Sequence, residues 1–196
     1  MTSLALVATD LDHTFLGADQ RPSELNTHSV FAAAEHRAAV VFATGRPLRW
    51  LDLLEVFTDV NPTVIASNGA VTYDLRNHRV ISDTPFPIDV ITDVVNDIAS
   101  ELPEAKFSLE EAQRCCVEPG FDRVDHGRPV THRGPIREFL TPDSRPVKML
   151  VRTFGIPTEE LFEIVDGVVD GRVSTTFSVQ LDDGLVELAP IGVSKG

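Results

Sequence analysis

Two aspartates separated by one residue follow the first apolar segment of the chain, in the sequence Asp10-Leu11-Asp12-His13-Thr14. In a loop that leaves a strand, both carboxylates can reach one ligand, so that one acts as nucleophile and metal ligand while the other transfers protons. The alternative is a solvated acidic loop, because an Asp-x-Asp-x-Thr pattern arises by chance in roughly a few per cent of chains of this length. Its position directly after a buried strand, where ligand sites occur, favours the chemical interpretation.

Two further segments carry groups that could bind phosphate. Thr44-Gly45-Arg46 follows the second apolar segment. A hydroxyl, a permissive glycine and the amides that begin the next helix would together cradle a phosphate. Thr44 could also serve only as the N-cap of that helix. Near the end of the sequence, Lys195 could neutralise a phosphate or be an ordinary solvated lysine.

The elements that must position these groups alternate between strand and helix over residues 1–70. The apolar patterns predict strands at 4–11, 38–43 and 63–67, and helices at 22–37 and 47–60. This alternation predicts a parallel sheet with helices packed on it, hence the α/β class. Ligands of such sheets bind at the carboxyl ends of the strands. The polar groups predicted to lie there are those of Asp10, Asp12, Thr44, Arg46 and Asn68.

The pattern changes near residue 84, after a predicted hairpin centred on residues 76–78. The remaining strands are predicted at 105–109, 147–154, 172–179 and 185–189, the helices at 87–102 and 158–169, and a long loop at 118–136. Thr158 is the predicted N-cap of the second of these helices. We therefore predict that residues 1–84 form a core, 85–187 an inserted α+β domain, and 188–196 a return to the core.

Together these motifs resemble the haloacid dehalogenase (HAD) superfamily of phosphotransferases, in its Cof-type group with an α/β (type IIB) cap. The resemblance rests on DLDHTFL after the first strand, ATGR at the end of the second, and GVSKG near the end of the sequence. IASNGAVTYD and LVELAPIGVSKG are also similar to stretches typical of that group. The resemblance runs from about residue 3 to the end and is weak over residues 100–170. It implies a Rossmann-like parallel sheet core with an inserted α+β cap domain.

The same resemblance implies a role for each matching residue. Asp10 would attack phosphorus and form an aspartyl-phosphate, and Asp12 would protonate the leaving alcohol and then activate water. Thr44 would hydrogen-bond the phosphoryl group. Lys195 would balance the negative charge on Asp10 and the phosphate. Mg²⁺ would be held by the carboxylate of Asp10 and the backbone carbonyl of Asp12. The implied activity is Mg²⁺-dependent hydrolysis of a small phosphomonoester, such as a sugar phosphate, that the cap selects. The residues expected to contact substrate or phosphate are Thr14, Gly45, Arg46 and Asn68.

Two departures from the family pattern bear on this activity. His13 stands where the family usually has glycine, and the chain stops one residue after Lys195, before the acidic motif that completes the family's magnesium site. We therefore expect an incomplete core sheet and compromised activity in a chain of this length, whether it is a fragment or its natural length. A sugar phosphomutase of the same superfamily and a non-catalytic protein that binds phosphate esters or a partner stay open as alternatives.

The charge balance, the apolar runs and the cysteines of the sequence limit the classes of partner and the environment that we expect for this protein. With 17 Lys and Arg against 30 Asp and Glu, the formal net charge of −13 disfavours general binding of nucleic acid or anionic membranes. No apolar run approaches the roughly 18 residues that span a bilayer. The two cysteines, Cys115 and Cys116, are adjacent and form no disulfide framework. We expect a cytoplasmic protein whose partner is a small phosphorylated metabolite, with no prediction of its oligomeric state.

Overall fold

A computed structural model describes residues 5–122 and 130–195, and contacts divide the chain into two units. The first unit holds the described residues up to Asp83 together with Ser194 and Lys195, and the second runs from Thr84 to Val193. Part of the predicted loop at 118–136, residues 123–129, lies outside the described residues.

The first unit is built on a five-stranded sheet in the order β1-β2-β3-β4-β5. Its first three strands are parallel and the last two antiparallel, so the parallel arrangement predicted from the alternating pattern is confirmed. Strand β1 lies at one end of this order, and Leu6 at its start is 52% exposed. The strands are β1 (Leu6–Asp10), β2 (Ala39–Ala43), β3 (Thr63–Ala66), β4 (Val71–Asp74) and β5 (Arg79–Asp83).

Helix α1 (Glu24–Glu35) connects β1 to β2, whereas the connection from β2 to β3 is not the α-helix predicted at 47–60. It consists of 3₁₀ turns at Leu48–Trp50 and Asp52–Val60. The apolar residues are spaced by three, which aligns them on one face of a helix with three residues per turn. Three of them, Leu51, Leu54 and Phe57, are buried.

An aromatic cluster anchors the turn that follows β1. The ring of Phe15 lies 5.0 Å from that of Phe42 on β2 and 5.7 Å from that of Phe57, both in edge-to-face contact. Leu11, at the other end of the same turn, is fully buried. Such aromatic pairs add about 0.5–1.5 kcal/mol each beyond their burial. The turn carrying Asp12 is therefore held to the core on both sides.

The second unit is a six-stranded, mostly antiparallel sheet covered by two helices, in the order β10-β11-β9-β6-β7-β8. Ile91, Val94 and Ile98 of one helix, and Leu161 and Val165 of the other, are fully buried in its core. The elements are α2 (Ile88–Glu101), β6 (Lys106–Glu111), β7 (Cys115–Val117), β8 (His132–Arg133), β9 (Pro146–Arg152), α3 (Thr158–Val169), β10 (Ser174–Thr176) and β11 (Leu185–Ala189).

Two predictions about elements of the second unit need correction. The strand predicted at 172–179 is only β10, and residues 177–181 are irregular. Thr158 is the first helical residue rather than the N-cap, which is Pro157. The Thr158 hydroxyl instead accepts hydrogen bonds from the amides of Leu181 and Leu185, at 3.1 and 3.3 Å.

The end of the second unit also differs from the predicted boundary at 187/188. Strand β11 crosses that position and pairs with β9 and β10, so its last residues belong to the second sheet. Within the described residues, no helix is long and apolar enough to cross a membrane.

Candidate active site

The two aspartates lie where β1 ends. Asp10 is the last residue of the strand, and a single helical turn at Leu11–Phe15 follows it, closed by a 2.8 Å hydrogen bond from the Leu16 amide to the Leu11 carbonyl. The two ends of this turn are buried, while the Asp12 side chain between them is 38% exposed. Thr14, predicted to contact phosphate, is exposed on the same turn.

His13 adopts a backbone conformation that glycine adopts more easily. Its φ of 59° and ψ of 10° place it in the left-handed region, which costs an L-residue roughly 1–2 kcal/mol. This conformation gives a physical reason for the glycine expected from the family resemblance. Histidine is one of the residues found there more often than most, so the turn keeps its shape in this chain.

Lys195 contacts the first aspartate. Its Nζ lies 2.8 Å from Oδ1 of Asp10, although 185 residues separate the two. Both side chains are partly exposed, at 44% and 34%. The lysine is therefore neither an isolated surface charge nor buried, and its ammonium stands beside the carboxylate predicted to be the nucleophile.

The approach of Lys195 depends on the turn after β3. Ser67, Asn68 and Gly69 all have positive φ, of 51°, 58° and 105°. A β-carbon on Gly69 would lie 1.9 Å from the carbonyl oxygen of Ser194, the residue before the lysine. Only glycine fits there, so this turn sets the path of the chain into Lys195. The sequence signals a turn at Asn68-Gly69, but nothing in it signals contact with residue 194.

Thr44 is completely buried and belongs to a loop held by backbone bonds. Its Oγ1 accepts a hydrogen bond from the Arg46 amide at 3.1 Å, which is the backbone role left open by the sequence. The Asn68 amide donates to the Thr44 carbonyl, and the Ser67 amide donates to the Arg46 carbonyl. The loops after β2 and β3 are therefore joined directly. Thr44 keeps its own hydroxyl proton for a further acceptor.

Gly45 and Asn68 meet side by side in these joined loops. A β-carbon on Gly45 would lie 2.7 Å from Oδ1 of Asn68. The glycine therefore makes room for the asparagine side chain, in addition to any freedom that it gives the loop.

Arg46 binds the second aspartate. Its Nε lies 3.1 Å from both carboxylate oxygens of Asp12, and its Nη2 lies 2.5 Å from Oδ1. Nη2 also donates to Oε1 of Gln20. The Arg46 hydrogen bond is the largest cause holding the pKa of Asp12 below its usual range; burial opposes it, and the charges of Arg46, His13 and Lys195 support it. No sequence signal pointed to Gln20.

The structure thus brings most of the predicted residues together at one end of the first sheet. Direct contacts join Asp10 to Lys195 and Asp12 to Arg46. Within residues 5–122 and 130–195, no group of three His, Cys, Asp or Glu side chains is arranged to hold a metal ion. Two carboxylates beside two cations leave this cluster with a formal charge that sums to about zero.

Comparison with known proteins identifies the family. The model of the haloacid dehalogenase-like hydrolases matches residues 7–196, nearly the whole chain. The chain therefore belongs to that family, which confirms the predicted superfamily and the prediction that the protein is an enzyme. No curated protein matches the sequence.

Solved structures share the fold. A haloacid dehalogenase-like hydrolase from Bacteroides thetaiotaomicron has a TM-score of 0.78 at 15% identity, covering 98% of this chain and 73% of its own. A HAD subclass IIB sugar phosphatase has a TM-score of 0.76 at 17% identity, with coverage of 98% and 72%. A Thermotoga maritima protein has a TM-score of 0.73 at 22% identity, with coverage of 98% and 71%. At these identities the likeness shows the fold, and the predicted class of core and inserted α+β domain is confirmed.

Proposed function

We propose that this protein hydrolyses a small phosphomonoester of the sugar phosphate class through an aspartyl-phosphate on Asp10. The observation that carries the proposal is the 2.8 Å contact between Lys195 and Asp10 at the carboxyl end of β1. A carboxylate is a weak nucleophile toward a dianion unless a cation neutralises the phosphoryl oxygens. In this proposal Lys195 supplies that neutralising charge for a phosphate that reaches Asp10.

The proposed reaction has two halves. An oxygen of Asp10 attacks phosphorus, the bond from phosphorus to the ester oxygen breaks, and the leaving alkoxide takes a proton from Asp12. Water then attacks the phosphorus of the aspartyl-phosphate, Asp12 takes a proton from that water, and inorganic phosphate leaves with Asp10 restored. Arg46 holds the pKa of Asp12 below its usual range in the ligand-free protein, so Asp12 begins as a carboxylate. The proton that Asp12 gives to the leaving alkoxide is the one that a phosphomonoester monoanion brings to the site, since the second pKa of such esters is about 6. After the second half, Asp12 releases the proton taken from water to the product phosphate or to solvent.

The donor atoms fit a magnesium ion in part. Mg²⁺ prefers oxygen ligands and commonly binds through one or two carboxylates, waters and substrate phosphate. The Asp10 carboxylate and the Asp12 backbone carbonyl would hold it here, with phosphate oxygens and waters as further ligands. When bound, the ion would neutralise charge on the transferring phosphoryl group.

Two observations support a small sugar phosphate as the class of substrate. The family is one of hydrolases, and a protein of the same fold is described as a sugar phosphatase. The net charge of −13 disfavours polyanionic substrates such as nucleic acids and leaves small monoesters as the better match.

Release of inorganic phosphate from a panel of sugar phosphates, in the presence of Mg²⁺, tests the proposal. The wild type should release phosphate, and Asp10→Asn should release none above background. Asp143→Asn, which removes a carboxylate from an exposed turn of the second unit, is the matched control and should behave as wild type. Mass spectrometry after rapid quenching should find one added phosphoryl group on the peptide containing Asp10. Unchanged phosphate release by Asp10→Asn would refute the nucleophile assignment.

A further inference from the structure

The guanidinium of Arg46 is already bound to a carboxylate of its own chain, that of Asp12. Three donor–acceptor contacts join its guanidinium to Asp12, and a fourth joins it to Gln20. The Arg46 side chain is only 12% exposed, against 38% for Asp12. A substrate arriving from solvent therefore meets the carboxylate more readily than the guanidinium. This arrangement does not match the phosphate-binding role predicted for Arg46.

Gln20 is presented to Arg46 by a tight loop. The Gly17 amide donates to the Arg21 carbonyl at 2.9 Å, and the Gln20 amide donates to the Gly17 carbonyl at 3.0 Å. Gln20 itself has a φ of 62°. The Arg21 amide is also bound, by Oδ1 of Asp19 at 3.1 Å. This loop is closed by its own hydrogen bonds, which fix the backbone from which the Gln20 amide oxygen reaches Nη2 of Arg46.

We propose that Gln20 and Arg46 form a positioning pair that fixes the orientation of the Asp12 carboxylate, and that Arg46 is not primarily a phosphate ligand. The inference rests on the function proposed above, in which Asp12 transfers protons. Gln20 fixes Nη2 of Arg46, and Nε and Nη2 of Arg46 together fix the plane of the carboxylate. Because the guanidinium is a rigid planar fork, three contacts from one group leave the carboxylate little rotational freedom.

The pair accounts for how an exposed aspartate keeps one orientation. The backbone on either side of Asp12 is anchored by Leu11 and Phe15, but backbone anchoring leaves the side-chain torsions free. A carboxylate offers about four acceptor positions, and one guanidinium uses only some of them. The exposed part of the Asp12 carboxylate is thus available to a leaving oxygen or a water.

Steady-state kinetics of single and double variants test the pair in the full-length protein with Mg²⁺. Arg46→Met should lower kcat by roughly 10- to 100-fold, as small misplacements of a reacting group do. KM and the inhibition constant of inorganic phosphate should stay within about twofold, since uniform substrate binding is not removed. Arg46→Lys should recover only part of kcat, because lysine keeps the charge and lacks the fork.

Gln20 provides the decisive comparison. Gln20→Ala should lower kcat by about three- to tenfold and should add nothing to Arg46→Met, because residues that act through one another are not additive. Arg76→Met is the control, since its guanidinium donates to the carbonyls of Thr58 and Asp59 in the same unit; it should leave kcat unchanged. If Arg46→Met fails to fold, an unchanged kcat in Gln20→Ala overturns the proposal.

Other outcomes separate the two proposals. A rise in KM and in the inhibition constant of phosphate, with kcat intact, would make Arg46 a phosphate ligand and overturn the pair alone. Losses that multiply in the Gln20→Ala, Arg46→Met double variant would also overturn it. Absence of phosphate release by the wild type would overturn the hydrolase function and, with it, the positioning role.

Discussion

The α-carbon of Gly69 faces the carbonyl oxygen of Ser194 so closely that a β-carbon there would lie 1.9 Å from it. The contact joins the turn after β3 to the residue before Lys195. Because Gly69 has no side chain, the chain can pass close enough to this turn for Lys195 to reach Asp10. The first prediction follows from this contact.

Gly69→Ala should destabilise the protein and abolish most phosphate release. The positive φ alone costs about 1–3 kcal/mol, and the overlap with Ser194 must be relieved by moving the chain that carries Lys195. Gly155→Ala is the matched control, because Gly155 also has a positive φ, of 82°, with nothing within 4 Å of the added carbon. Thermal unfolding and phosphate release measure both effects. Equal losses in the two variants would show that the close approach to Ser194 has no consequence.

Lys195→Met should lower kcat strongly and leave stability nearly unchanged. Removing one preorganised group that stabilises developing charge costs roughly 10²–10³ in rate. The pair with Asp10 is partly exposed, at 44% and 34%, and such pairs contribute at most about 1 kcal/mol to folding. Lys106→Met, which removes a lysine from β6, is the control. Steady-state kinetics and urea unfolding check the prediction, and a kcat within twofold of wild type would contradict it.

The Cys116 thiol should react slowly with iodoacetamide in the folded protein. Burial raises the pKa of Cys116 to about 11, and the charge of Glu111 adds to the shift. A raised pKa means less thiolate, so at pH 8.5 the folded thiol should react about two orders of magnitude more slowly than an unfolded one with the ordinary pKa of about 8.5. The folded rate should climb until about pH 11, whereas the unfolded rate should level off earlier. Cys115→Ser leaves one thiol to follow by mass spectrometry, and equal rates in folded and urea-unfolded protein would refute the prediction.

Thr158→Val should destabilise the protein by about 2–3 kcal/mol, because two amides lose their buried acceptor. The Thr158 hydroxyl is the acceptor for the amides of Leu181 and Leu185, which hold the segment before β11 against the start of α3. Thr92→Val is the control, since its hydroxyl only donates to the Ile88 carbonyl within α2. Urea unfolding measures the difference, and equal changes for the two variants would contradict the structural role of Thr158.

Much of the fold could be predicted because apolar runs end at polar residues. The runs before Asp10, Thr44 and Asn68 became strands β1, β2 and β3, and parallel order places their ends together. The helix between β2 and β3 was wrong in type, since a spacing of three suits a 3₁₀ turn as well as part of an α-helix.

The contacts of the site could not be predicted in the same way. Arg46 and Asp12 are 34 residues apart, and their contact depends on side-chain torsions that no local pattern specifies. Gln20 lies in a loop without periodicity, and its contact with Arg46 depends on a left-handed backbone at a residue type that rarely adopts it. The sequence signals a turn at Asn68-Gly69, but it does not signal the bonds from the Ser67 and Asn68 amides to the loop after β2, because those partners are distant in sequence.

The position of β1 at one end of its sheet affects how the protein behaves in concentrated solution. Among the described residues β1 pairs with β2 alone, and Leu6 at its start is 52% exposed. A strand with that profile is a template onto which another chain can pair. The net charge of −13 opposes such pairing through repulsion between molecules, and added salt screens that repulsion. Colloidal stability should therefore decline as ionic strength rises, which makes low-salt buffers the better choice for storage and for crystallisation screens.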